Sequence, residues 1–451
     1  MAVPTAPSSP PAAPDTGTAG AAAVPRYADL DALRRQDPLI AEVILGEAAR
    51  QAGTVQLIAA ENFTSPAVLA ALGSPLANKY AEGYPGARHH GGCERVDTAE
   101  RIARERATAL FGADHANVQP HSGSAAVLAV YAALLRPGDG VLALSLDRGG
   151  HLTHGSPANF SGRWYDFTGY GVDPVTGRTD PGELRRLARE HRPRAIVCGS
   201  ICDPRHPDYA LFREVADEVG AWLIVDAAHP LGLVAGGAAP SPVPYADVVC
   251  ATTHKVLRGP RGGMILCGRS LAERIDRAVF PFSQGGAQMH TIAAKAVAFG
   301  EASTPAFAGY AHRVVANARV LAGALAAEGF TVVTGGTDTH LLVVDPAPLG
   351  VDGRTARSRL AAAGLIADVC GLPSGTGRGV RIGTAAVTTQ GMGEGEMARI
   401  AALFARAVRE DGGRAGASVG SGGGGGAVGT GGAGGVRAQV HDLAGRFPPY
   451  P

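Results

Sequence analysis

Between about residues 141 and 251 the chain alternates short apolar runs with helical patterns, and this alternation constrains the fold more than any other feature. Strand candidates stand at residues 141–146, 195–198, 223–225 and 248–251. Amphipathic patterns at residues 182–190 and 210–219 separate several of them. Apolar strands interleaved with helices predict a mostly parallel sheet with crossover helices, an α/β fold. A second group follows: helices at 289–299, 311–328 and 355–363, with strands at 331–334, 341–344 and 379–383. That group suits a smaller α+β domain.

At 451 residues and 45% hydrophobic, the chain is long enough for two or more cores. Residues 1–24 are almost all Ala, Pro, Ser, Thr and Gly, and 412–435 are nearly all Gly, Ala, Ser and Val. Neither can bury enough apolar surface to offset the entropy of ordering, so a disordered tail and a flexible insert are expected. Leu39, Ile40, Val43, Ile44 and Leu45 predict an amphipathic helix over 37–51, either packed on the core or gripping a partner subunit. The predicted division is a disordered tail (1–30), a helical arm (31–60), a large domain (61–305), a small domain (306–411), the Gly-rich insert (412–436), and a C-terminal helix and tail (437–451).

A net charge of +1 gives no field to attract nucleic acid or a membrane surface. No apolar run reaches transmembrane length, and no basic start leads into an apolar core. Six cysteines without a CxxC pair read as reduced thiols of a cytoplasmic protein, with no metal site.

The chemistry centres on Thr252-Thr253-His254-Lys255, after an apolar strand and before Gly259-Pro260-Arg261-Gly262-Gly263. Packed hydroxyls, an imidazole and close glycines can hold an amine away from bulk water. Such a lysine loses its proton readily and attacks carbonyls, and the aldehyde it most often holds is pyridoxal phosphate. Ser122-Gly123-Ser124 lies between a strand-like end and a helix start, where small residues and unpaired amides can receive an anion or simply cap the helix. Asp226 ends a buried strand, where α/β sheets place ligands. There a carboxylate can keep a pyridine nitrogen protonated or cap a helix. His151, after two glycines, can stack on a flat ring or be an ordinary loop residue. Arg381, in a short strand, offers a planar fork to an α-carboxylate or to a structural salt bridge.

Together these stretches resemble serine hydroxymethyltransferases. The matching text covers 78–86, 116–124, 149–159, 226–229, 252–263, 335–340 and 380–384. The resemblance implies a fold-type-I pyridoxal-phosphate enzyme with a mostly parallel seven-stranded sheet. It implies a homodimer or dimer of dimers with shared sites, and an amino-acid substrate with tetrahydrofolate as co-substrate. It assigns Lys255 to the covalent link with the cofactor, Asp226 to the pyridinium nitrogen and His151 to ring stacking. Ser122, Gly123 and Ser124 would hold the phosphate, helped by Gly286 of the partner subunit. His229, Thr252 and His254 would lie beside the cofactor. Arg381 would bind the substrate carboxylate, with His90 and Leu146 also at the substrate. Tyr80 and Glu82 would sit near the substrate hydroxyl, Glu82 handling the proton.

The sequence departs from the family pattern at Ala60, Phe63, His89, His90, Ile201-Cys202-Asp203, Phe282, Ser283 and Cys370. These positions cluster where the second substrate would bind and leave Lys255, Asp226, His151 and Arg381 untouched. The implied reaction is the reversible conversion of L-serine and tetrahydrofolate to glycine and methylenetetrahydrofolate. The alternative is a folate-independent aldolase or transaldolase acting on threonine-like or α-methylserine-like β-hydroxy amino acids. A third reading is a cofactor-binding paralogue with little turnover, which the intact Lys255 and Arg381 disfavour.

Overall fold

A computed structural model describes residues 30–410 and 433–450. The expected disordered tail and most of the Gly-rich insert lie outside them.

The large sheet contains β1 (His115–Asn117), β2 (Gly140–Leu144), β3 (Asp166–Tyr170), β4 (Ala195–Cys198), β5 (Trp222–Asp226), β6 (Val248–Thr252) and β7 (Gly263–Cys267). Their spatial order is β1-β7-β6-β5-β4-β2-β3. Only β7 runs against its neighbours; β2 to β6 pair in parallel. This is the expected mostly parallel seven-stranded sheet. Helices cover both of its faces, so β6 and β7 are buried along their whole length. The strand pleat sends alternate residues into separate cores. Leu223, Val225, Val249 and Ala251 join one, while Ile224, Val248 and Cys250 join the other.

Two expected boundaries shift for steric reasons. The strand expected to reach Leu146 ends at Leu144, and 146–148 form a short turn. The chain doubles back there: a Cβ on Gly150 would lie 2.1 Å from the Leu144 carbonyl oxygen. The strand expected over 331–334 stops at Val332, where Thr334 takes a positive φ of 61°.

The second sheet contains β8 (Thr331–Val332), β9 (Leu341–Asp345), β10 (Asp368–Gly371) and β11 (Arg378–Gly383), antiparallel in the order β8-β9-β11-β10. Its core includes Leu342, Val380, Phe404 and, from the N-terminal segment, Val55 and Leu57. One helix, Pro305–Ala327, serves both cores. Phe307 to Val315 pack on the large sheet's side and Ala318 to Leu325 on the small sheet's. The final helix, expected within 437–451, starts at Ala433 and ends at Gly445; Val436, Val440, Leu443 and Ala444 bury one face.

Helix α1 (Pro38–Ala52) is capped by Asp37, whose Oδ1 accepts from the Ile40 amide at 3.1 Å. It does not pack as a core helix, since only Ala41 is buried. Leu39 and Val43 are 72% and 65% exposed.

Candidate active site

A cavity of about 540 Å³ opens at the carboxyl ends of the parallel strands, where an α/β sheet receives its ligand. Lys255 lies in the bend after β6. Its backbone is fixed from both sides: its carbonyl accepts from Asn62 Nδ2 at 3.0 Å and from the Arg258 amide at 3.0 Å. Arg258 has a positive φ of 58°, and its guanidinium lies 4.4 Å from the Tyr310 ring centroid. Burial disfavours the ammonium and pulls the Lys255 pKa down to about 8, although Asp226 opposes the fall. Among the described residues no side chain hydrogen-bonds its Nζ, which leaves the amine available to a carbonyl.

Asp226 closes β5 in the same cavity. Burial pushes its carboxyl up, but His154, Lys255 and the Ala228 amide outweigh burial and hold it at about 2. His154 Nε2 lies 3.1 Å from Asp226 Oδ2, and His154 Nδ1 lies 2.6 Å from the Tyr131 hydroxyl. The ionised Asp226 carboxylate can only accept from Nε2, and the Tyr131 phenol, kept protonated by burial, can donate to Nδ1. That fixes the tautomer in which Nε2–H donates to the carboxylate. His151 stands nearby, its Nδ1 2.7 Å from Thr153 Oγ1, and burial lowers its pKa. His229 stacks on His340 with ring centroids 5.4 Å apart, and burial holds both rings neutral.

The anion cradle is built by close approach. Ser122 caps the helix Gly123–Leu134, accepting from the Ala125 amide at 3.1 Å. A Cβ on Gly123 would lie 2.6 Å from the Thr252 methyl, and one on Gly263 would lie 2.1 Å from the Ser122 carbonyl oxygen. Only glycine lets the Gly263 and Ser122 backbones meet and Thr252 pack on Gly123. Thr252 Oγ1 donates to the Ala228 carbonyl at 3.2 Å.

Arg381 lies in β11 at the cavity wall. Its Nη1 donates to the Ile201 carbonyl at 2.7 Å and its Nη2 pairs with Asp368 at 2.7 Å, while Nε is buried without a partner. The salt bridge is therefore formed, and the same arginine also lines the cavity.

Ten of the expected site residues line one cavity: Ser122, Gly123, Ser124, His151, Asp226, His229, Thr252, His254, Lys255 and Arg381. Five do not. Tyr80 and His90 meet edge to face with centroids 4.8 Å apart. Beside them are Glu82 and Gly286, where a Cβ would lie 3.5 Å from the Tyr80 ring. Tyr80 is 60% exposed, so this group forms its own surface cluster in one copy of the chain. Leu146 sits in the short turn after β2, outside the lining, and is also exposed.

Sequence reasoning missed four residues here. His154 is three positions after His151, and its pairing with Asp226 required the fold. Glu61, Arg261 and Asp368 also line the cavity. Two of the departures from the family pattern meet: Cys202 packs against the cluster that contains Cys370.

An available amine, a carboxylate held ionised, a neutral imidazole and a glycine-walled anion cradle fit pyridoxal phosphate. The buried, unpartnered Arg381 Nε and His254 Nδ1 are further polar atoms left for a ligand. Sheet and site together define a fold-type-I pyridoxal-phosphate enzyme.

Residues 33–404 match the family model described as serine hydroxymethyltransferase. The chain is also 50% identical over 424 residues to a protein named serine hydroxymethyltransferase from Koribacter versatilis (strain Ellin345), covering 93% of this chain and 96% of that one. The chain belongs to the serine hydroxymethyltransferase family. Its cofactor is pyridoxal phosphate and its co-substrate tetrahydrofolate, as in that family, and the family assignment favours this reading over the folate-independent aldolase.

Proposed function

We propose that this chain interconverts L-serine plus tetrahydrofolate and glycine plus methylenetetrahydrofolate through the residues of the Lys255 cavity. One observation carries the proposal: Lys255, lowered to about 8, shares a cavity with Asp226, held at about 2. Near neutral pH Lys255 thus offers far more free amine than an ordinary lysine, while Asp226 stays ionised.

When bound, pyridoxal phosphate supplies the sink for the electron pair left on the substrate Cα once its bond to the hydroxymethyl carbon breaks. The protein supplies position and charge. Lys255 would hold the cofactor through its amine. Asp226, steadied by His154, would keep the ring nitrogen protonated. His151 would lie against the ring, and Ser122, Gly123 and Ser124 would receive the phosphate. Thr252, His229 and His254 fill the space around the cofactor. Arg381 orients the substrate carboxylate, which fixes which Cα bond is aligned for cleavage.

Tyr80, Glu82, His90 and Gly286 are read as arriving from a second copy, with Glu82 handling the hydroxyl proton and Leu146 bordering the substrate. Their exposed cluster and the exposed apolar side of α1 support a homodimer or dimer of dimers. Six cysteines without a disulfide support a cytoplasmic setting. Among the described residues no helix is long and apolar enough to cross a membrane. The separate core of the second sheet supports the division into large (61–305) and small (306–411) domains, although Phe307 to Val315 pack on the large side. Reconstitution with pyridoxal phosphate tests the proposal: the wild-type protein should gain visible absorbance that survives dialysis, and Lys255→Ala should not. Equal retention by both refutes the assignment of Lys255.

A further inference from the structure

Lys295 is a charged side chain sealed in the core, 1% exposed, in the helix Met289–Ala302. Its Nζ donates to three backbone carbonyls: Val118 at 2.6 Å, Gly263 at 2.7 Å and Pro120 at 3.0 Å. Among the described residues it forms no ion pair. Burial alone pulls its pKa down to about 7, against the field of Glu100. The three acceptors pull the other way, because a neutral amine has only two N–H bonds to offer.

Those carbonyls belong to the two walls of the anion cradle. Pro120 stands two residues before Ser122, and its oxygen also accepts from the Gly263 amide at 3.0 Å. Gly263 in turn packs directly on the Ser122 carbonyl. The lysine stem passes under the next glycine, since a Cβ on Gly262 would lie 2.5 Å from Lys295 Cε. One ammonium thus ties the end of β1 to the start of β7 directly behind Ser122-Gly123-Ser124. Its charge also reaches the loop, lowering the His121 pKa after burial has done so. A second brace comes from Gln284, whose Nε2 donates to the Gln119 carbonyl at 2.9 Å and whose Oε1 accepts from the His121 amide at 3.3 Å.

We propose that Lys295 is a positioning residue for the cofactor phosphate: it holds the cradle's two strands in register, and its ammonium form sets a positive charge behind the loop that receives the dianion. The proposal rests on reading Ser122–Ser124 as the phosphate cradle. A buried lysine that merely stabilised the fold would not distinguish a phosphorylated ligand from its dephosphorylated form.

The test compares pyridoxal phosphate with pyridoxal, which lacks the phosphate. Full-length apoprotein is titrated with each, following visible absorbance, for wild type, Lys295→Met and Lys295→Arg. Lys295→Met should weaken pyridoxal phosphate binding on the order of 10- to 100-fold, leave pyridoxal within about threefold, and be partly rescued by Lys295→Arg. If Lys295→Met does not fold, Lys295→Gln, which keeps two N–H donors without charge, replaces it in the same comparison. Unchanged pyridoxal phosphate binding, or equal loss of both ligands, overturns the proposal. If wild type itself binds the two ligands equally, the phosphate-cradle reading has failed instead.

Discussion

Exchanging Asp226 for Asn should make Lys255 more reactive toward a small aldehyde at low pH, even though it disables the enzyme. Lys255 is lowered from 10.5 to about 8, mainly by burial, and Asp226 is the charge that opposes the fall. That shift is worth about 3.4 kcal/mol between the two protonation states at ~1.36 kcal/mol per unit. Near pH 8 half of this amine is neutral, against roughly 0.3% for an ordinary lysine, an advantage of about 150-fold. Removing the carboxylate's charge takes away support for the ammonium, so the pKa falls further, by about one unit. The assay treats apoprotein with a small aliphatic aldehyde and cyanoborohydride from about pH 6 to 10, and quantifies label on the Lys255 peptide by mass spectrometry. Such an aldehyde has no ring nitrogen, so it reports the amine and not cofactor recognition. Wild type should show a midpoint near 8 and Asp226→Asn one near 7. A wild-type midpoint near 10.5, or an upward shift in the variant, refutes the electrostatic reasoning.

Other outcomes follow from the same geometry. Asp226 has a folded pKa of about 2 against 3.8 unfolded, so its ionised form stabilises the fold above pH 3.8 and this contribution is lost as pH falls toward 2. Urea unfolding near neutral pH should therefore show Asp226→Asn less stable by about 2 kcal/mol, a difference that vanishes near pH 2; no difference at neutral pH would contradict it. If Arg381 binds the substrate carboxylate as proposed, Asp368 competes for it, so Asp368→Asn should lower the serine KM by about threefold, a modest figure because the pair is partly exposed. A raised KM would mean that Asp368 orients the arginine instead. Gly263→Ala places a methyl 2.1 Å from the Ser122 oxygen, so apoprotein titration should show pyridoxal phosphate binding weakened at least 10-fold; wild-type affinity would show that the cradle can yield.

Local chemistry made the central residues legible. Lys255, Asp226 and Ser122 each stand at the end of a β-strand or the start of a helix, so short stretches marked their places. Apolar runs likewise located β4 and β6 to within a residue. What stayed hidden depended on contacts between distant segments. The antiparallel strand β7 begins in a glycine-rich stretch that reads as a loop, and only its pairing with β6 and β1 makes it a strand. His154 reads like any loop histidine until the fold brings it to Asp226, seventy-two residues away. Asp368 and Arg381 meet because they are opposite each other in the β10–β11 ladder. Lys295 has the spacing of a helix residue and nothing to announce its burial. Tyr80 and Glu82 carried the right residue types, but one copy of the chain keeps them off the cavity.

The most direct test of the account is glycine release from L-serine by the protein reconstituted with pyridoxal phosphate, measured with and without tetrahydrofolate and repeated with Lys255→Ala. The account predicts release that rises strongly with tetrahydrofolate in wild type and is abolished in the variant. Release at the same rate without tetrahydrofolate, or release that survives loss of Lys255, would contradict it.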